Sequence, residues 1–472
     1  MHRVREPNMS ERHRAGQHMM LKETSLLLVA ACMLGAARLG KVAAQEDVVE
    51  EFDCDRYLAT APVKTTANID EDQPYLTLDT NEVKTWNLGT SITEGFTCGE
   101  QLLVEVTGSQ ELTIISTADS AVMSNARFEV RDSSKLILDI PHLTITGVVD
   151  SRVYGAVFVE EGSSMDVLHQ TTFSGNSLDI LLIGSGRELE DWDPRGGAAL
   201  YSEGDVKFHE KAYFLGNSQY SQGDAFDMQN LPGGAVANRG TMEFMKKATF
   251  NDNSNPQGGN GGGIANSGTL TFNRRAIFRR NTVKETTLEG ESIVGGRGAA
   301  VFNGGSDTAD ILFERAGDST IVFKRKAIFK DNVGALGGGA LASRGEAGDN
   351  KITFEDTANF KDNRCGDHPA IVEYLNPDNI DTIDENKGGG AILAYGPTTV
   401  EFQKTANFKR NEAPNGGAVR TGTGATISFS EDELITEDNT ASATCPDILV
   451  NEGSSVLIAG ETIAGEDLCD RS

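Results

Sequence analysis

A chain of 472 residues with 38% hydrophobic side chains can bury a sizeable core, while its 52 glycines disfavour helical bundles, since each weakens a helix interior by roughly 1 kcal/mol. The formal charge of −28 argues against nucleic-acid or anionic-membrane binding, which need basic surfaces. It suits a soluble surface protein or a collector of divalent cations.

At the N-terminus, Arg3, Arg5, Arg12, Arg14 and Lys22 precede the apolar run SLLLVAACMLGAA at 25–37, and VAAQE follows. This order predicts a secretory signal over residues 1–44, cleaved after Ala44; initiation at Met19 or Met20 would shorten its charged region. The run is shorter than the ~20 residues of a membrane span, and no later segment is apolar enough to cross a bilayer. Export fits the cysteines. One lies in the signal and five follow, Cys54, Cys98, Cys365, Cys445 and Cys469, without a CxxC pair that would suggest zinc.

Residues 45–100 lack the pattern that follows and are expected to cap the fold, with Cys54 and Cys98 placed to close the cap. LLVEVTG (102–108), LTIIS (112–116), ARFEV (126–130) and KLILDI (135–140) read as early, irregular coils. Two motifs then alternate. The first is VKFHEKAYFLGN (206–217), MEFMKKATFNDN (242–253), LTFNRRAIFRRN (270–281), IVFKRKAIFKDN (321–332), ITFEDTANFKDN (352–363) and VEFQKTANFKRN (400–411), with a looser copy, DVLHQTTFSGN, at 166–176. The second is GGAVANRG at 233, GGGIANSG at 261, GAAVFNGG at 298, GGALASRG at 338, GGAILAYG at 389 and GGAVRTGTG at 416. Equivalent positions recur after about 28 residues at the closest, as Phe244 and Phe272 do.

Within each unit apolar residues alternate over three to five positions bounded by glycine or asparagine, the signature of short strands. Three strands and three bends per unit describe one coil of an all-β, right-handed parallel β-helix, a solenoid with N- and C-terminal caps. Stacked coils put like residues in columns. Two phenylalanine columns and an alanine column fill the interior. Asn176, Asn217, Asn253, Asn281, Asn332, Asn363 and Asn411 are expected in a bend where asparagine tolerates left-handed geometry, with their amides bonded from coil to coil as a ladder. The glycine pairs allow a corner that a Cβ would block. Roughly thirteen coils would make a rod about 60 Å long. The β-helix is expected over 101–440 and a terminal coil and cap over 441–472, where Cys445 and Cys469, about one coil apart, form the favoured disulfide and leave Cys365 as a thiol. Insertions at 177–195, 218–232, 282–296 and 364–387 share one template corner and should project from one edge, whereas 306–320 leaves from another.

The alternation of GGA[ILV] with FxxN over roughly residues 155–430 resembles the polymorphic outer-membrane protein family of chlamydial autotransporter adhesins. The resemblance implies a right-handed parallel β-helix of the pectin-lyase-like superfold and a role in adhesion at a cell surface. The 43 residues after Phe429 leave no room for that family's membrane barrel, so the solenoid and the surface role are what carries over.

Chemistry is less legible. No catalytic residue is assigned. Calcium is the one cofactor left open, with Glu188, Glu190, Asp191 and Asp193 in one loop and Asp378, Asp381, Asp384 and Glu385 in another supplying hard oxygens; a solvated acidic loop is the simpler reading. Of the histidines past the signal, His142, His169, His209 and His368 occupy unrelated template positions, which disfavours the polysaccharide lyases, hydrolases and epimerases that share this fold. The basic stretches FNRRAIFRR and FKRKAIFK are expected on an outer face, paired with acidic neighbours. Sugar binding by aromatic stacking has little support, since the template uses most of the phenylalanines; Trp192, inside an acidic loop, is the aromatic residue to watch. The expected function is a secreted or surface-associated, non-enzymatic scaffold whose partner is a cell-surface or cell-wall polysaccharide or protein, with no nucleic acid and no membrane span after signal removal.

Overall fold

Phe208, Phe244, Phe272 and Phe323 pair in direct register on neighbouring parallel strands, and Phe354, Phe402 and Phe429 continue the series. With no offset from coil to coil, every template position becomes a column, and the fold is a parallel β-helix. The computed structural model describes residues 96–463, less 151–154, 182–195, 223–232, 305–317, 367–387 and several pieces of one to three residues, together with four short strands between Val49 and Asn87. These strands fall in one unit, Val49–Ser472, with no α-helix among the described residues.

Each later coil runs through four strand tracks rather than the expected three. In the coil opening at Asp205 they are Asp205–Phe208, Ala212–Leu215, Ser218–Gln222 and Val236–Asn238. The third track is the one the pattern misses, and its strands begin the segments assigned to insertions: Ser177–Leu181, Ser218–Gln222, Thr282–Val283 and Arg364–Cys365. The physical reason is brevity. Several of these strands have two residues, of which one is buried, and the buried column is chemically mixed: Leu178, Gln219, Asn255, Val283, Cys365 and Ala413. Two residues cannot display an apolar period. Upstream, Phe96–Val106 and Ala121–Val130 run on where later coils bend, so the second and fourth tracks share one sheet and the third begins at Val149.

Inside, the first phenylalanine column from Phe208 to Phe429 stacks with centroids 4.7–5.0 Å apart. The second, from Phe173 to Phe408, stacks at 4.6–5.1 Å. Rings of one column meet those of the other edge-on, as Phe250 does Phe272 at 6.4 Å, so both favourable aromatic geometries recur through the core. Each buried ring stabilises by roughly 1.5–3 kcal/mol. Ala248, Ala276, Ala327, Ala358 and Ala406 form a fully buried column on the second track.

The seven predicted asparagines are fully buried. Each donates its side-chain amide to the Oδ1 of the next, from Asn176 through Asn217, Asn253, Asn281, Asn332 and Asn363 to Asn411, at 2.9–3.0 Å. The second amide hydrogen goes back to a main-chain carbonyl, Ile145 for Asn176 and a phenylalanine for the others, as from Asn281 to Phe250 O at 3.1 Å, and each Oδ1 also accepts a backbone N–H. No donor in the rung is left over, which is what makes a buried polar column tolerable. The left-handed residue is not the asparagine, as expected, but its predecessor: Gly175, Gly216, Asp252, Arg280, Asp331, Asp362 and Arg410 have φ of 50–62°. The asparagine can then turn inward.

The glycine pairs close the opposite corner. Gly233 has φ +68°, and a Cβ on Gly234 would lie 2.3 Å from Gly262 O and 2.4 Å from Ser254 O, so the coils meet backbone to backbone. The fourth track is buried on both faces, with Leu200 and Val236 in the main core and Phe158 stacked on Tyr201 at 5.6 Å on the other side. At the ends, Val49–Glu51 pairs with Lys84–Asn87, so strand stacking extends upstream of residue 100. Ser455–Ile458 folds back on Glu461–Ile463 as an antiparallel hairpin, which gives the last strand of the first track a partner.

Candidate functional site

Three residues join the first track to the second in each coil: HEK at 209–211, MKK at 245–247, NRR at 273–275, KRK at 324–326, EDT at 355–357 and QKT at 403–405. These turns stack. Asn273 N donates to Phe244 O and Lys324 N to Phe272 O, while the carbonyls of Arg275 and Lys326 accept from Ala248 N and Ala276 N. Three neighbouring coils therefore bring together Lys246, Lys247, Arg274, Arg275, Lys324, Arg325 and Lys326. Of these, Lys246, Arg274, Lys324 and Arg325 line an open groove of about 590 Å³, with His209 towards one end and Glu355, Asp356 and Lys404 towards the other.

The sequence reading expects the basic stretches FNRRAIFRR and FKRKAIFK to pair with acidic neighbours; Arg280 and Lys330 do so, with Asp252 and Asp331, and the turn cations depart from it. Among the described residues none of the seven forms an ion pair. Among themselves the three turns hold only basic, amide and thioether side chains, and the carboxylates Glu210, Glu355 and Asp356 belong to the turns on either side. The contrast lies at the far end of the second track, where the bend column holds both signs. There Arg280 binds Asp252 through two bonds of 2.6 and 2.8 Å, and Arg410 binds Asp362 through bonds of 2.7 and 3.1 Å.

The electrostatics follow the geometry. Burial, then the positive charges of Arg275, Arg279 and Lys211, lower the Lys247 pKa, and its ammonium sits 5.7 Å from the Tyr213 ring centroid. Burial raises the Glu243 carboxyl, but Asn273 at 2.6 Å and Lys207 at 3.1 Å, with the charge of Lys324, outweigh it and hold the group below its usual value. Glu243 is thus held chiefly by Asn273 and Lys207, and of the turn cations it feels the charge of Lys324. The surface offers fixed positive charge to an anion.

The residues singled out by the sequence fall in several places. Glu188, Glu190, Asp191, Asp193, Asp378, Asp381, Asp384, Glu385, Trp192 and His368 lie outside the described residues, and no three His, Cys, Asp or Glu gather at a metal-binding distance among those described. His169 Nε2 lies 2.9 Å from Asp139, and His209 Nε2 lies 3.0 Å from Asp166, which also binds Lys135 at 2.7 Å; His142 is exposed. The side chains of Cys54, Cys98 and Cys469 lie outside the described residues, so neither proposed pairing is described; Cys365 is a buried thiol. The four insertions begun on the third track all rejoin at the glycine corner, at Gly196, Gly233, Gly296 and Gly388.

Sequence reasoning missed three features. Asn439 is an eighth ladder rung, accepting from Asn411 at 3.0 Å and donating to Asp447 at 2.9 Å. A second, shorter ladder runs Asn238–Asn266–Asn303 at 2.7 and 2.8 Å, and the recurring AN and FN of the glycine motif were its signal. The third is the unpaired groove, which shows in sequence once MKK, NRR and KRK are placed one above another. Comparison with protein-family models, with curated proteins and with solved structures returned no match.

Proposed function

We propose that this chain is an exported, surface-acting β-helix that serves as a non-enzymatic adhesive or ligand-binding scaffold. The observation that carries the reading is the division of labour between positions. The repeated residues are spent on packing, as buried rings, alanines, ladder amides and glycine corners, while four of the five insertions share one corner of the coil. A rigid column with a variable edge is a common way for repeat proteins to bind. The alternating GGA and FxxN motifs and the N-terminal charge and apolar pattern support a surface role similar to that of the polymorphic outer-membrane adhesins. In this reading Cys54–Cys98 and Cys445–Cys469 lock the two ends after export.

The test has two arms. The full chain carrying a C-terminal tag is expressed in a secreting host, and release with Gln45 as the new first residue is expected. The purified protein is then incubated with intact cells, cell-wall fragments and acidic polysaccharides. Saturable attachment without shortened chains or ultraviolet-absorbing unsaturated products is expected. Retention inside the cell with an intact N-terminus would remove the surface role, and released products would replace the scaffold with a polysaccharide-processing enzyme.

A further inference from the structure

We propose that the turn groove between the first and second tracks binds a linear acidic polysaccharide, carboxylated or sulfated, lying along the β-helix axis. The inference deepens the surface-binding reading and rests on it. Coils repeat at about 4.8 Å, so the six stacked turns from Glu210 to Lys404 span about 24 Å, and the three central ones present two or three cations each. The array is straight because the strands on both sides keep direct register, Phe244 over Phe272 over Phe323 and Ala248 over Ala276 over Ala327. An extended ligand with an anion at regular intervals meets one charged turn after another without bending.

Several observations choose the ligand. The seven turn cations form no ion pair among the described residues, and Lys247 feels the repulsion of Arg275, Arg279 and Lys211. Arg274 and Arg325 are exposed, and guanidinium forks match carboxylate and sulfate in two-bond geometry. Asn273, whose amide nitrogen is held by Glu243, adds its amide oxygen to the groove wall as an acceptor for sugar hydroxyls. Nucleic acid fits less well. Single strands are held by aromatic platforms, and none lines the groove; Tyr213, at its margin, already carries Lys247 over its ring. The rest of a chain of charge −28 also repels a dense polyanion that reaches beyond the stripe. Glu210 at one end, with Glu355 and Asp356 at the other, break the positive run and favour a short bound stretch.

The experiment compares the full chain with Lys246→Gln/Arg274→Gln/Arg325→Gln, in which exposed turn residues lose charge. The control, Lys330→Gln/Lys361→Gln/Lys409→Gln, removes the same charge from cations that have acidic partners. Retention on immobilised polygalacturonate and on a sulfated glycan is measured at 50 and 200 mM salt beside neutral dextran and single-stranded DNA, with thermal melting to verify folding. At 1.5–3 kcal/mol per charge-assisted bond, loss of even one contact should weaken retention at least about tenfold in the groove variant and less than about twofold in the control. The carboxylated and sulfated arms identify which anion is taken. A folded groove variant that binds as the unaltered protein does, an unaltered protein that binds neither glycan, or one that binds DNA at least as tightly would each overturn the inference. In the first two cases continued attachment to intact cells would leave the scaffold reading standing, with binding assigned elsewhere. Loss of that attachment as well would remove both.

Discussion

Asn281 donates its side-chain amide to Asn332 Oδ1 at 3.0 Å although 51 residues of chain separate the two. In the preceding coil Asn253 makes the same bond to Asn281 across 28 residues. The bond length is indifferent to how much chain is looped out, because register is set by the strands on either side. That indifference lets an insertion vary without disturbing the column.

Replacing Asn281 by leucine should therefore be severe. It strands the side-chain amide and the backbone N–H of Asn253 and takes a donor from the carbonyl of Phe250 in a dry column, at about 1–3 kcal/mol for each unsatisfied group. Urea denaturation should show a loss of at least about 3 kcal/mol. Asn439→Leu, at the ladder's end, should cost less. Equal losses at the two positions would contradict a cooperative ladder.

Phe272 lies between Phe244 and Phe323 at 5.0 and 4.9 Å and is fully buried. Its truncation to alanine should destabilise by about 3–5 kcal/mol, and Ala276→Val beside it by about 1–3 kcal/mol through overpacking. Thermal melting of both proteins checks this. A valine variant as stable as the parent would show that the alanine column is not under steric pressure.

The two kinds of glycine should separate cleanly. Gly234→Ala drives a Cβ to 2.3 Å from Gly262 O and is expected to abolish soluble expression, since only backbone movement relieves the clash. Gly216→Ala meets nothing within 4 Å and should cost only the left-handed strain at φ +62°, about 1–2 kcal/mol. Comparing the soluble yield and melting temperature of the two variants tests the distinction; similar behaviour would refute it.

Acid stability should depend on Asp166. Burial pushes this carboxyl up, but the hydrogen bonds from Lys135 and His209 outweigh burial and hold it below its usual value. A carboxyl depressed in the folded state stabilises the fold above its unfolded pKa of about 3.9, and that contribution fades as pH falls through the folded value. Asp166→Asn should be less stable than the parent at pH 7, with the gap closing below about pH 4. Urea midpoints measured from pH 7 to pH 2.5 that stay parallel would contradict this.

The all-β coil architecture was legible in the chain because the motifs repeat the same inward residues, and few folds besides stacked coils accommodate a period of two with recurrent Phe, Asn and Gly. Two conformational details were not. Asparagine was assigned the left-handed bend on its general tolerance of it, yet Asp252, Arg280 and Asp331 hold that geometry so that Asn253, Asn281 and Asn332 can face inward. Only the inward bonds of the ladder reveal which of two adjacent residues must take the strained position. The third track was invisible because one buried side chain per strand, be it Gln219, Val283 or Cys365, leaves no pattern to read.

Hydrophobic alternation and repetition are local properties, so the order of residues was enough to establish which side chains are buried and that they stack. Which charges meet was settled by the coiling alone. Lys246, Arg274 and Arg325 are far apart in the chain and look like ordinary solvated residues. Their gathering along one groove emerges once the coils are laid in register. Coulombic attraction acts through space at a few ångströms, and in a solenoid that distance is measured along columns rather than along the chain.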